Sequence, residues 1–493
     1  MEDSVVGQLA IYARSQPDKA AIVAGGDSIS YGGLYDSVRG FCAYLKHNGI
    51  KKGDFVVCRA SAAVWYWTAF FGVHLAGGVF VPLEKDCSDE TIASTAHSLG
   101  DVFAVISIAS DAEAVLDACK VFVPQSSVAA LARSHFDPEA FFDFPKSDDI
   151  GQILFTTGTT GKAKGVVLDH KYFIEPARRN TELPYGTATV MALPAPMNHL
   201  LSVGRCTCVL LHGGTAVLLD GLTDLGAFYS AVDDAGVNSF TLPPSALNYI
   251  IALTGDEFSA RADRFAFIEI GGEKLPRARQ IELMRLLPSV RLFIVYASTE
   301  TGEISCYEFS ADGATENRIG RPVPGTIVRF TDECGVEVTA SEDDPAYITV
   351  QSDTLMRGYW KDEESTAKVK RGDRVTMSDY GYTDADGYLC IAGRAGDVII
   401  SGGHKINPTE VENIALESGL AAECVCTGRR DEMFGKIVTL LVVPKDGGNL
   451  DKVAMKNYLS ERLEGYKTPK IIERIDKVRR NANGKIDRRY YAE

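Results

Sequence analysis

The run Ile153-Leu-Phe-Thr-Thr-Gly-Thr-Thr-Gly-Lys-Ala-Lys-Gly-Val carries the equipment for holding a chain of phosphates. An apolar strand over Ile153–Phe155 opens into a loop of hydroxyls and glycines with two lysines, and a second apolar run follows. Glycine lets backbone amides turn toward an anion, threonine hydroxyls donate to it, and Lys164 adds positive charge. The run is not a Walker loop. The position five before Gly161 is Thr156 rather than glycine, and Ala163 follows Lys162 where serine or threonine should stand. A polar surface turn would leave this density of Gly, Thr and Lys unexplained.

Four more segments follow in order: Tyr296-Ala-Ser-Thr-Glu-Thr-Gly, Ser378-Asp-Tyr-Gly-Tyr-Thr-Asp, Gly393-Arg-Ala-Gly-Asp running on to Gly402-Gly403, and Asn481-Ala-Asn-Gly-Lys-Ile-Asp. A flat ring at Tyr296 suits a purine. A lone carboxylate at Glu300, beside phosphates, makes sense with a cation between them. Together with the threonine–glycine loop, these segments resemble the motifs of the adenylate-forming superfamily of acyl- and aryl-CoA synthetases, peptide-synthetase adenylation domains and luciferases. The resemblance covers nearly the whole chain.

That resemblance implies ATP, Mg²⁺ and CoA as cofactors and co-substrates, and a small carboxylic acid as the partner substrate. It implies that Thr156, Thr157, Gly158, Thr159, Thr160, Gly161 and Lys164 hold the phosphates. Tyr296 stacks on adenine with Ala297 and Ser298 beside it, Thr299 touches the α-phosphate, and Glu300 holds the metal. Asp379 accepts from the ribose, Arg394 contacts the nucleotide, and Gly272 and Glu273 line the pocket. Lys485 is the mobile catalytic lysine, bridging carboxylate and nucleotide. The acid attacks the α-phosphate and pyrophosphate leaves. The small domain then rotates, replacing Lys485 with the Gly402-Gly403 loop, where a thin pantetheine arm fits and the thiol releases AMP. Two departures stand out. Gly396, followed by Asp397, occupies the position where relatives place an Asp or Lys pivot, and Ala163 replaces a proline.

The segment Pro194-Ala-Pro-Met-Asn-His-Leu-Leu-Ser resembles the one in which a histidine or aromatic walls off the carboxylate, here His199. An ordinary core histidine is the competing reading. No Asp lies between Met197 and Gly204 to hold an α-ammonium, and burying that charge unpaired is costly, which argues against an α-amino acid. Arg205 has two readings: a partner for a second substrate carboxylate, or a helix cap or solvent-facing residue, the latter favoured by arginine's usual exposure. Three functions remain open: an acyl- or aryl-CoA ligase, a stand-alone adenylation enzyme loading a separate acyl or peptidyl carrier protein, and a non-catalytic nucleotide-binding module. Intact Lys164, Glu300 and Lys485 weigh against the last.

These residues need a scaffold, and the pattern supplies one. Strand-like runs at Phe55–Cys58, Val79–Val81, Phe103–Ile106, Thr215–Leu219, Ser239–Leu242 and Phe267–Ile270 alternate with helical stretches such as Asp224–Ala235 and Arg277–Leu287. Alternation of this kind predicts layered α/β sheets, largely parallel. A β-rich subdomain is expected over about 318–392, and a small mobile α+β domain over 395–493, leaving 1–394 as the large N-terminal domain. The stretch Ala60–Leu83 has no charged residue and the length of a bilayer span, but Gly77-Gly78 and Pro82 break it. A buried helix over Ala63–Ala76, a turn and a strand at Val79 are expected instead.

The net charge of −15 disfavours broad nucleic-acid binding. Eleven scattered cysteines read as free thiols of a reducing cytoplasm, with Cys206/Cys208 and Cys424/Cys426 as strand pairs buried on one face. The acidic start lacks the layout of a signal peptide.

Overall fold

The uncharged stretch folds as a buried helix, Val64–Leu75, and a buried strand, Val79–Leu83, joined by a glycine turn. Ala63 and Ala76 flank the helix, and nearly every side chain on it is enclosed. This is core. The computed structural model describes residues 4–108, 113–157, 163–179, 182–445, 448–479, 486 and 488–491. No helix among them is long and apolar enough to cross a membrane.

The chain divides into two compact units. The first comprises residues 1–315, 322–327 and 351–375 and contains two sheets. One has seven strands, in the order Gly358–Tyr359, Ala163–Asp169, Ile150–Thr157, Val79–Leu83, Phe55–Arg59, Val102–Ser107 and Val121–Pro124. It is parallel apart from the hairpin of its second and third strands and the short edge strand. The other runs Gly302–Glu308, Arg291–Ser298, Phe267–Gly271, Ser239–Leu242, Val190–Leu193, Thr215–Leu218, Ala20–Ala24 and Asp27–Ser30, parallel except at its two ends. The inner strands are buried on both faces, which explains their continuous apolar runs. Local chemistry bounds the helices. Asp224 accepts from the Ala227 amide at 2.9 Å to start Leu225–Ala235, and Gly236, at φ +67°, ends it.

The second unit comprises residues 316–321, 328–350 and 376–493. It carries the β-rich strands Arg318–Pro322, Leu389–Arg394, Arg374–Thr383, Ala346–Gln351 and Ile327–Thr331. It also holds the hairpin Ile399–Ser401/His404–Ile406 and a three-stranded sheet of Ala421–Asp431, Gly435–Pro444 and Ile471–Arg474. Helices Pro408–Glu417 and Lys452–Ser460 contribute Val411, Ala415, Met455 and Leu459 to the apolar core beneath that sheet.

None of the eleven cysteines is in a disulfide. Cys424 and Cys426 lie on a strand as expected, but Cys206 and Cys208 lie on the helix Leu200–Leu211. A short apolar run does not distinguish strand from buried helix, and this helix is enclosed around most of its circumference, so both thiols are buried even though they point different ways.

A histidine pair sits in the first unit's core. His74 Nε2 meets the Gly151 carbonyl at 2.9 Å, and its ring stands edge-on to that of His170 at 4.8 Å. Burial, then His170, pushes His74 well down, and burial, then Lys52, lowers His170 to about 4. Both are therefore neutral when folded. Below the ordinary histidine value the unfolded chain takes up protons that the folded chain refuses, so stability should fall with pH from about 6.5 to about 4. His170 alone should contribute a loss of about 3 kcal/mol across that window. Urea unfolding of wild type and His170→Gln at pH 7, 5.5 and 4 checks this; an equally steep pH dependence in the variant would assign the effect elsewhere.

Candidate active site

The strands Val190–Leu193, Ser239–Leu242, Phe267–Gly271 and Arg291–Ser298 are parallel, so the loops leaving their carboxyl ends emerge along one edge of the sheet. Those loops bring Pro194–His199, Pro243-Pro244, Gly272-Glu273 and Thr299-Glu300. Ligands of open α/β sheets bind at such an edge. Backbone closeness shapes it: a Cβ on Gly271 would come within 3.0 Å of the Val295 carbonyl, and Gly272 adopts φ +84°. Glu273 accepts from the Ser245 hydroxyl at 3.3 Å.

The segment before His199 is pinned from two sides. The Tyr66 hydroxyl donates to the Met197 carbonyl at 2.8 Å, and the Ser202 hydroxyl donates to the Ala195 carbonyl at 2.7 Å. His199 is the N-cap of helix Leu200–Leu211 and is exposed, with Nε2 3.2 Å from Glu84 Oε1. It is not a core histidine.

The phosphate-loop run is a β-hairpin in which Thr156 stands opposite Lys164 and Thr157 opposite Ala163. Gly158, Thr159, Thr160 and Gly161 at its tip lie outside the described residues. Lys164 Nζ lies 4.9 Å from the ring centroid of Tyr359, and the hydroxyl of that same tyrosine donates to Glu300 Oε1 at 2.9 Å. A cation and a carboxylate from distant parts of the chain thus share one aromatic ring. Burial and then the Glu300 carboxylate push the Tyr359 hydroxyl well above its ordinary value, so it stays a donor. Two further bonds fix the turn bearing Thr299 and Glu300: Met356 N donates to the Glu300 carbonyl at 2.8 Å, and the Tyr172 hydroxyl donates to the carbonyls of Ser298 and Thr299, each at 3.2 Å. Tyr296, Ala297 and Ser298 close the same strand, with a bulge between the first two.

Sequence reasoning missed Tyr359. It lies in the stretch read as β-rich subdomain, whereas residues 351–375 belong to the first unit and extend the sheet edge beside the phosphate hairpin. The preference for an exposed or capping Arg205 is also overturned. Its Nε lies 2.6 Å from Glu269 Oε2 and its Nη1 donates to Glu303 Oε2 at 2.8 Å, while the Tyr185 hydroxyl donates to Glu269. Burial opposes the charge on Arg205, but Glu269, Tyr185 and Glu303 outweigh it and hold the guanidinium protonated. Burial pushes the Glu269 carboxyl upward despite Arg205.

In the second unit, Asp379 and Arg394 are cross-strand neighbours, Oδ1 to Nε 3.7 Å, with the aspartate largely covered and the arginine exposed. Gly402 and Gly403, at φ +57° and +86°, form the turn of the Ile399–Ile406 hairpin, a pair of left-handed conformations that favours glycine. Lys485 lies outside the described residues. Its flanks are tied down: Arg479 N donates to the Tyr491 hydroxyl at 2.7 Å, and Arg488 makes a two-point ion pair with Glu412, both contacts 2.7 Å, with Asp397 3.5 Å from its Nε.

Magnesium fits the residues present only as a companion of the triphosphate. Glu300 is a lone carboxylate, and no group of three His, Cys, Asp or Glu side chains able to hold a metal occurs among the described residues. Mg²⁺ commonly takes one or two carboxylates and completes its shell with substrate phosphates and water.

Fold and site together define a nucleotide-dependent ligase of the adenylate-forming kind. The chain belongs to the AMP-binding enzyme family, whose model matches residues 9–360, with the family's C-terminal domain matching residues 410–485. Among curated relatives, the indoleacetate–CoA ligase of Aromatoleum aromaticum is 28% identical, the match covering 96% of this chain and 95% of that one. A feruloyl-CoA synthase from an Amycolatopsis species is 30% identical, with 96% and 95% covered. The crystal structure of the anthranilate CoA ligase AuaEII with anthranoyl-AMP superposes with a TM-score of 0.86 at 19% identity, covering 99% of this chain and 96% of that one.

Proposed function

We propose that the chain activates a carboxylic acid with ATP, releasing pyrophosphate, and transfers the acyl group from the resulting adenylate to CoA. One observation carries the reading: Tyr359 gathers Lys164 at its ring and Glu300 at its hydroxyl, beside the threonine hairpin. Attack of a carboxylate on a phosphate brings two anions together, and preorganised charge at the reacting phosphates lowers that barrier. Lys164 and Thr156 serve the leaving phosphates, and His199 stands at the acid's carboxylate. Magnesium held by Glu300 supplies charge neutralisation on the triphosphate. Tyr296 takes the adenine, Thr299 the α-phosphate, Asp379 the ribose and Arg394 the nucleotide. Lys485 bridges the two substrates during adenylation. The Gly402-Gly403 turn admits the pantetheine arm.

The mobile domain is read as beginning at Ala395, inside the second compact unit, with either Gly396 or Asp397 as its pivot. In support, the amides of Asp397 and Val398 both donate to the Arg394 carbonyl, making a tight turn there. The relatives that are CoA ligases support CoA as the acceptor. Eleven cysteines outside any disulfide and the use of ATP support a cytoplasmic setting.

The test is pyrophosphate release across a panel of aryl and acyl acids, with and without CoA. Acid-dependent release with acyl-CoA product is expected. Turnover only with an added carrier protein would replace CoA as acceptor, and release with no acid would remove the reading.

A further inference from the structure

Beneath the edge where the acid is placed lies the buried cluster of Arg205, Glu269, Glu303 and Tyr185. Its position follows from the elements. Leu201, two residues after His199, faces Gly271: a Cβ there would sit 3.9 Å from Leu201 Cδ1. Arg205 is one helical turn beyond Leu201 on the same face. Glu269 is two residues before Gly271, hence on the same face of its strand and about 7 Å deeper. Glu303 stands directly opposite Ala297 across the antiparallel pair. Arg205 and Glu269 are thus one layer below residues of the acid-binding edge, and Glu303 stands beside it, level with Ala297.

The cluster is unbalanced. Two carboxylates face one guanidinium, and both glutamates are more than nine-tenths buried at the side chain. Glu303 Oε1 is enclosed and has no hydrogen-bond partner among the described residues. A buried ion cluster that served packing alone would satisfy its acceptors, because each unmet buried acceptor costs stability. Arg205 retains some exposure, so the cluster is not sealed on every side.

We propose that Arg205, Glu269 and Glu303 form the far wall of the acyl cleft and select an acid bearing an N–H-donating group, neutral or cationic, remote from the reacting carboxylate. This rests on the reading of His199 and the strand-end loops as the acid site. The absence of an acidic residue between Met197 and Gly204 still disfavours an amine on the α-carbon. The carboxylates that would hold nitrogen come instead from two strands at greater depth. Arg205 orients them and is a positioning residue rather than a ligand for a second substrate carboxylate, since both of its close partners are already acidic.

Matched acids test this by pyrophosphate release: para-aminobenzoate against para-methylbenzoate, and para-aminomethylbenzoate against para-ethylbenzoate. In wild type at least one nitrogen-bearing member should exceed its isostere in kcat/KM by roughly tenfold to a hundredfold, the penalty for leaving a polar site unpaired. In Glu303→Gln that ratio should fall toward one, with a thermal melt verifying that the variant is folded. Isosteres turned over as well as or better than their partners by wild type would overturn the wall proposal and leave acid adenylation standing. Wild-type ratios unchanged in a folded Glu303→Gln would overturn it as well. Turnover of no acid in either pair, or in the wider aryl and acyl panel, would remove both.

Discussion

Glu300→Gln is expected to slow acyl-adenylate formation by roughly a hundredfold to a thousandfold, the range for removing one preorganised electrostatic contact at a reacting group. Glutamine keeps the length and can still accept from Tyr359, so the turn held by Met356 N and Tyr172 should survive. What disappears is the charge that fixes the cation on the phosphates. Pyrophosphate exchange at saturating acid measures the effect, and excess Mg²⁺ should restore part of it. Tyr359→Phe removes the hydroxyl but leaves the ring beneath Lys164, and should lose less. A Glu300→Gln enzyme within threefold of wild type would exclude Glu300 from the chemistry.

The second large effect separates the two half-reactions. Lys485→Ala should lower adenylation by roughly a hundredfold to a thousandfold. Thiolysis of supplied acyl-adenylate by CoA should stay close to wild type. The lysine is needed where a carboxylate approaches a polyphosphate, and that encounter is over once pyrophosphate has left. Stopped-flow or quenched assays of each half-reaction give the answer, and equal losses in both would defeat the two-conformation account.

Elements set by local pattern were legible in the sequence. The helix after Ala63, the strand at Val79 and the helix from Asp224 appear where the breaks at Gly77-Gly78 and Pro82 and the spacing between strand-like runs put them. The strand at Ile153 and the apolar run after the threonine–glycine loop were legible too, while their antiparallel pairing as a hairpin comes from the structure. Failures came where a distant partner decides. Tyr359 gains meaning only by pairing its strand with Val166–Val167, and no local property of Met-Arg-Gly-Tyr-Trp announces that. Arg205 followed the general exposure of arginine until Glu269 and Glu303 closed on it from two other strands. Cys206 and Cys208 read as a strand pair because a helix enclosed around most of its circumference has little polar face to mark its period.

The edge strand Gly358–Tyr359 has a consequence for biosynthesis. Its partner, Ala163–Asp169, leaves the ribosome far earlier, and until the later segment arrives its outer row of amides and carbonyls has no mate. An uncovered strand margin is a template for unwanted association between nascent chains. Late delivery of Tyr359 thus covers part of that margin and sets its ring and hydroxyl between Lys164 and Glu300.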